Sequence, residues 1–285
     1  MIYRLAFTLA GGLFASLSLP VAAEVAFLSE TSPAPVKQLL EKTRQLTGSD
    51  VQLYSLGQRP DAASLEACVV VGQASLKRLQ ECAGKPVVAV FVTREASAAA
   101  EGLTSAIYLD PPLSRQVALA KEILGSDRRL GVLVRDPEQW SLLAEQPDSS
   151  VTPYFVNEYD SLNHALVDLL KSNHALVGVY DTKLYSSETI KNILITAYRQ
   201  NKPLFGPSSA YIKAGALATT YSDLDDVARR LAEILKSGLK EGVWPEADFN
   251  PYFDVRFNEQ VGRSLNLLLP SPEAMTLRLL SKEPR

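Results

Sequence analysis

Short, unbroken apolar runs recur along this chain, and they constrain its fold more than any other feature. CVVVG (68–72) and PVVAVFV (86–92) do not alternate between apolar and polar residues. A strand that is apolar on both faces is buried on both faces, which is the position of a strand in a parallel sheet covered by helices. Similar runs occupy 25–29, 51–55 and 106–109, and a second series follows at 130–134, 152–156, 176–180, 203–205 and 216–220. Between them lie amphipathic stretches with helical spacing. Residues 35–46 stop at Gly48, 114–124 stop at Gly125, 187–200 stop before Lys202-Pro203, and 223–236 open with acidic residues and stop near Gly238. Acidic first turns and terminal glycines are the ends a helix prefers. Alternation of this kind predicts an α/β fold, and two series of strands predict two lobes.

The N-terminus carries a different signal. Arg4 precedes an apolar run from Leu5 to Leu19, followed by Pro20 and small residues, with Val21 and Ala23 at the −3 and −1 positions of a cut. That pattern is a secretory signal peptide, residues 1–23, cleaved after Ala23. The run is shorter than the roughly 20 residues a membrane span requires. The expected location is therefore the periplasm. In such an oxidising compartment the only cysteines, Cys68 and Cys82, invite a disulfide worth about 3 kcal/mol. Two buried free thiols are the alternative, because spacing alone does not bring two Cβ atoms together.

Composition narrows the function. Hydrophobic residues make up 46% and charged residues 21%, and the net charge of −3 gives no electrostatic footprint for nucleic acid. The chain has no G-x-x-x-x-G-K, G-x-G-x-x-G, G-x-S-x-G or H-E-x-x-H pattern. Its two histidines, His164 and His174, both stand in the word NHALV. The first copy follows a helical face and the second enters a buried strand, so the word is not a structural repeat. Nor does either histidine have the partners of a zinc site. No enzyme chemistry, cofactor or metal is expected. What remains are polar loops at the C-terminal ends of strands, the edge that lines the ligand crevice of open α/β sheets. Asp181 ends one buried strand and reads equally as a ligand group or a cap, whereas any single serine or threonine there reads more readily as a helix cap than as a ligand.

The segments ALVGVYD (175–181), SSETIKNILITAYRQNKPLFG (186–206), YIKAGALATTYS (211–222), ARRLAEILKSG (228–238) and VRFNEQVGRSLNLLLP (255–270) carry a resemblance. So, more weakly and in the same order, do CVVVGQAS, KPVVAVFVT and RLGVLVRDPEQW. Together they resemble ABC-transporter substrate-binding proteins related to the tryptophan and tyrosine binders, as a divergent member. The departures are TREASAAAEGLTSAIYLD, without the family's Asp-Pro segment, and Leu224 where a glycine is usual. The resemblance implies a type I periplasmic-binding architecture, two Rossmann-like lobes with parallel sheets flanked by helices. Their extents would be 24–110 with 214–250 and 111–213 with 251–285. It implies a monomer that captures a small molecule, an amino acid or other small organic acid, for a membrane permease. Carried onto this chain, the ligand-binding residues would be Gln73, Ser75, Thr93, Asp181 and Ser208. The alternative is a degenerate relative that serves another envelope protein as a sensor or accessory.

Overall fold

The computed structural model describes residues 24–144 and 148–283; the expected signal peptide lies outside them. The first stretch contains β1 (Glu24–Leu28), α1 (Ala34–Thr47), β2 (Asp50–Tyr54), β3 (Leu65–Val71), β4 (Val87–Val92), α2 (Arg94–Ala98) and β5 (Ser105–Tyr108). The second contains α3 (Leu113–Leu124), β6 (Leu130–Val134), α4 (Pro137–Leu143), β7 (Val151–Phe155), α5 (Leu162–Ser172) and β8 (Ala175–Val177). It continues through α6 (Ile190–Arg199), β9 (Leu204–Phe205), α7 (Ala210–Ala214) and β10 (Ala218–Tyr221). The last stretch contains α8 (Leu224–Lys236), β11 (Asp248–Phe249), β12 (Asp254–Phe257), α9 (Glu259–Ser264) and α10 (Pro272–Leu280).

These strands form two six-stranded sheets, in the orders β11-β5-β4-β3-β1-β2 and β12-β10-β9-β8-β6-β7. Every pairing is parallel except β10 with β12. The continuous apolar runs are explained by the two faces of the first sheet. Val25, Phe27, Val69 and Val71 pack into one cluster with Val36 and Leu39 of α1 and with Val227, Leu231 and Leu235 of α8. Their neighbours Ala26, Leu28, Cys68 and Val70 pack on the other face with Cys82 and Val87. Successive side chains of a strand point to opposite faces, so both residue sets must be apolar. That second face is covered by a 3₁₀ segment, Gln73–Cys82. Cys68 and Cys82 are bridged across this layer, with Cα atoms 6.0 Å apart.

The second sheet has its own core. Leu166, Leu169 and Leu170 of α5 and Val117, Leu119 and Ala120 of α3 bury its strands. Gly131 on β6 is required there, because a Cβ at that position would overlap the Leu169 side chain. Helix starts follow local chemistry: Ser161 caps α5, and Asp223 with Asp226 forms a capping box on α8. The two NHALV words lie in α5 and at the entry to β8.

The position of β10 corrects one expectation. Residues 214–250 are expected in the first lobe, yet β10 pairs with β9 and β12 in the second sheet. The chain therefore returns to the first lobe between Tyr221 and Leu224, and only then does α8 pack on α1. A short strand read from sequence carries no mark of the sheet it joins. The pairing is decided by long-range hydrogen bonding.

Candidate functional site

The lobes meet along the C-terminal edges of their sheets, where α2 contacts α4. Arg135, the residue after β6, reaches across this cleft. Its Nη2 donates to Glu95 Oε1 of the first lobe at 2.6 Å. Its Nε stands 3.1 Å from Asp181 Oδ2, close enough for an ion pair but without hydrogen-bond geometry. The Glu95 hydrogen bond, outweighing desolvation, holds the Arg135 guanidinium above its ordinary pKa. Gln139 on α4 fixes the arrangement, donating Nε2 to Asp181 Oδ2 at 2.8 Å and accepting the Arg135 N–H at 2.7 Å. The other Asp181 oxygen accepts the N–H groups of Lys183 and Leu184, at 2.8 and 2.9 Å. Both oxygens of this buried carboxylate are thus occupied from within the protein.

A cavity of about 90 Å³ lies against the segments that cross between the lobes. Asp110 and Asn250 enter it from two crossings, and Thr220, Ser208 and Tyr221 from the second lobe. Asp110 is buried, and its Oδ1 accepts the Arg94 N–H at 3.0 Å. Burial pushes its carboxyl up to about 6, against the lowering effect of that N–H and of the Arg94 charge. Two buried polar atoms on the cavity's lining residues, Thr220 Oγ1 and Asn250 Nδ2, have no hydrogen-bond partner. A smaller crevice of about 10 Å³ adjoins through Asp110, Pro111 and Pro207 and ends against Gly178 and Tyr180.

The residues expected to bind a ligand separate into different roles. Ser208 is half-buried on the wall of the 90 Å³ cavity, and Asp181 belongs to the ion-paired chain. Ser75 is buried, donating to the Val71 carbonyl at 2.8 Å and accepting the Glu30 N–H at 3.1 Å. Thr93 accepts the Ala96 N–H at 3.1 Å as the cap of α2. Gln73 is exposed at the start of the 3₁₀ segment. Sequence reasoning missed Arg135, Asp110, Thr220 and Asn250, and reached Glu95 only as part of the polar stretch Thr93-Arg94-Glu95 after β4. Arg135 directly follows a buried strand and Asp110 lies two residues beyond one, so the strand-end rule that singled out Asp181 reaches both. Asn250 lies in an irregular stretch, and no local signal marks it.

A larger cavity, about 860 Å³, is elsewhere, on the second lobe between β12 and the loop leading into α10. We place the site in the cleft because groups from both lobes converge there, although the space is smaller.

No family model matches the chain, and no curated protein matches it. Solved structures do. A substrate-binding protein with adhesive properties from Clostridium difficile, in its ligand-free, open form, superposes with a TM-score of 0.65 at 12% identity, over 88% of this chain and 97% of that one. A protein from Streptococcus pneumonia in complex with L-Trp gives 0.52 at 13% identity, over 90% and 98%. An arabinose-binding protein from Geobacillus stearothermophilus gives 0.51 at 12%, over 86% and 99%. With two parallel sheets, crossing segments and a cleft between the sheet edges, the chain has the type I periplasmic-binding-protein fold of two Rossmann-like lobes.

Proposed function

We propose that this chain is an exported solute-binding protein that closes its two lobes on a small molecule and presents it to a membrane permease. The observation that carries this reading is the cavity between the lobes, lined by Asp110 and Asn250 from two crossing segments and by Ser208 and Tyr221 from the second lobe. A ligand touching both lobes would favour the closed population by its differential affinity. Binding without turnover fits the placement of the histidines. His174 is at the N-terminal end of β8, opposite the cleft, with Nδ1 accepting the Arg129 N–H, and His164 is exposed beside Asp160.

The test is a thermal-shift screen of the chain from Glu24, covering amino acids, small organic acids, sugars and polyols, followed by calorimetry. A ligand present at a hundred times its Kd adds about 2.7 kcal/mol of stability. One class should raise Tm with a stoichiometry of one.

A second reading, a sensor or accessory that engages another envelope protein, is favoured by the Glu95–Arg135–Asp181 chain. That chain joins the lobes with internal groups alone. No shift with any class, together with a membrane protein co-purifying with the chain, selects it.

A further inference from the structure

The larger cavity of the second lobe lies along a sheet edge that the fold leaves open. Just before β10, the Leu217 carbonyl accepts the Asn258 N–H at 2.8 Å. Successive residues of a strand turn their N–H groups to opposite sides, so those of Val255 and Phe257 face away from β10. Thr276 on α10 accepts the Val255 N–H through Oγ1 at 3.0 Å. The Phe257 N–H has no such partner among the described residues. The other sheet edges are blunted. β7 carries Pro153, which has no N–H, β11 is two residues long, and the Arg44 guanidinium covers the Val51 carbonyl on β2.

The cavity beside this edge, about 860 Å³, is within the size range of clefts that hold a ligand. Tyr221, Val255 and Phe257 line it from the sheet. Leu267, Leu268, Leu269 and Pro270 line it from the loop, and Leu268 is 98% exposed. Ser271, Pro272 and Thr276 complete it at the start of α10. Five charged residues share the lining. Arg263 pairs with Glu259, and Arg256 donates to the Tyr221 hydroxyl at 2.8 Å. Asp254 and Glu273 have no cationic partner among the described residues. Asp223 and Asp226 of the α8 cap lie beside Asp254, so negative charge exceeds the single positive charge of Arg256. Main-chain groups that face out of a sheet are answered by another extended chain, whose alternate side chains then meet one wall.

We propose that this groove docks an extended segment of a partner protein, which adds to the second sheet as a strand beside β12. Its apolar side chains lie on Phe257 and Leu268, and a lysine or arginine among them pairs with Asp254 or Glu273. The site is confined to the second lobe, so it goes beyond the solute-binding reading and is tested apart from it.

The experiment uses the chain from Glu24 at physiological salt, with short, end-capped peptides in which valine alternates with lysine. Comparison peptides replace lysine by glutamate, gather the same residues into two blocks, or carry N-methyl groups on alternate backbone nitrogens. Binding is read by calorimetry and located by amide chemical shifts. The alternating lysine peptide should bind one to one and shift the amides of 254–257 and 267–273. Each comparison peptide should bind at least about tenfold more weakly, because each removes one part of the match. Leu268→Ser should weaken binding about tenfold and, since that side chain is exposed, leave the Tm unchanged. The Asp254→Asn, Glu273→Gln double variant should remove the preference for lysine over glutamate. If no peptide binds, or if the block and N-methylated peptides bind as well as the alternating one, strand addition at β12 is wrong. A concentration-dependent dimer that Leu268→Ser abolishes would put a second copy in the groove and overturn the partner segment as its occupant.

Discussion

Arg135 and Glu95 belong to different lobes, yet Arg135 Nη2 lies 2.6 Å from Glu95 Oε1, so an ion pair spans the cleft. Its far end is the buried Asp181 carboxylate of the second lobe. Arg135 thus ties the two lobes together with the protein's own groups.

Glu95 is half exposed, so its pair with Arg135 contributes about 0.2–1 kcal/mol to closure. Glu95→Gln should shift the open-to-closed ratio by up to about fivefold, without unfolding the protein. Small-angle scattering, or the distance between labels on the two lobes, reports this directly. An unchanged profile would mean that the pair does not hold the lobes.

Asp181 behaves differently because it is buried and serves several donors. Asp181→Ala leaves the N–H groups of Lys183 and Leu184, the Gln139 amide and the Arg135 guanidinium short of an acceptor. Removing one partner from a buried charged network costs about 3–5 kcal/mol, and urea denaturation should read a loss in that range. A loss below about 1 kcal/mol, as for an exposed pair, would contradict this placement.

Asp110 gives the protein a pH signature. Its carboxyl is pushed up to about 6 by burial, so the folded state takes up this proton before the unfolded chain does. This residue's contribution therefore makes the protein more stable as pH falls from 7 through 6 towards 4, and that gain is lost on the return. Its size is on the order of 2 kcal/mol. Asp110→Asn, whose Oδ1 still accepts the Arg94 N–H, should remove this component and leave the variant more stable than the parent at pH 7. Melting curves between pH 4 and 8 are the measurement, and parallel curves for the two proteins would refute it.

The Cys68–Cys82 bridge joins β3 to the segment that covers one face of the first sheet. Both cysteines are buried, at 0% and 1% exposure, so reductant should act only once the protein unfolds. The Cys68→Ser, Cys82→Ser double variant should lose about 3 kcal/mol, the value for a loop of this length. Equal midpoints in denaturant with and without the bridge would show that it carries no stability.

The C-terminal segment supports the crossing region. Arg115 is buried beneath it, pairing with Glu283, donating Nη2 to the Asn250 carbonyl at 3.1 Å and lying 3.9 Å from the centroid of the Phe253 ring. Glu283→Ala strands that guanidinium, and because Glu283 is partly exposed the expected cost is about 2 kcal/mol. Chemical denaturation measures it, and Glu283→Gln should recover part of the loss through its amide oxygen.

Local chemistry determined much of this protein before any contact was known. Unbroken runs such as CVVVG and PVVAVFV require apolar packing on both faces, and the two clusters of the first sheet supply it. Asp223 and Ser161 mark helix starts because their side chains answer N–H groups only two or three residues away. The C-terminal edge along which the lobes meet was legible too, and Asp181 lies on it. The tertiary structure alone decided which partner each group found. It assigned β10 to the second sheet and gave Asp181 to Arg135 and Gln139. It also turned Ser75 and Thr93 inward as supports for loop and helix backbone. Asp110, Thr220 and Asn250 come from distant stretches of chain, and only the crossing segments bring them to one cavity. A cap or an apolar run is settled by neighbours a few residues away. A cleft is settled by which buried polar groups are left for one another when two sheets close.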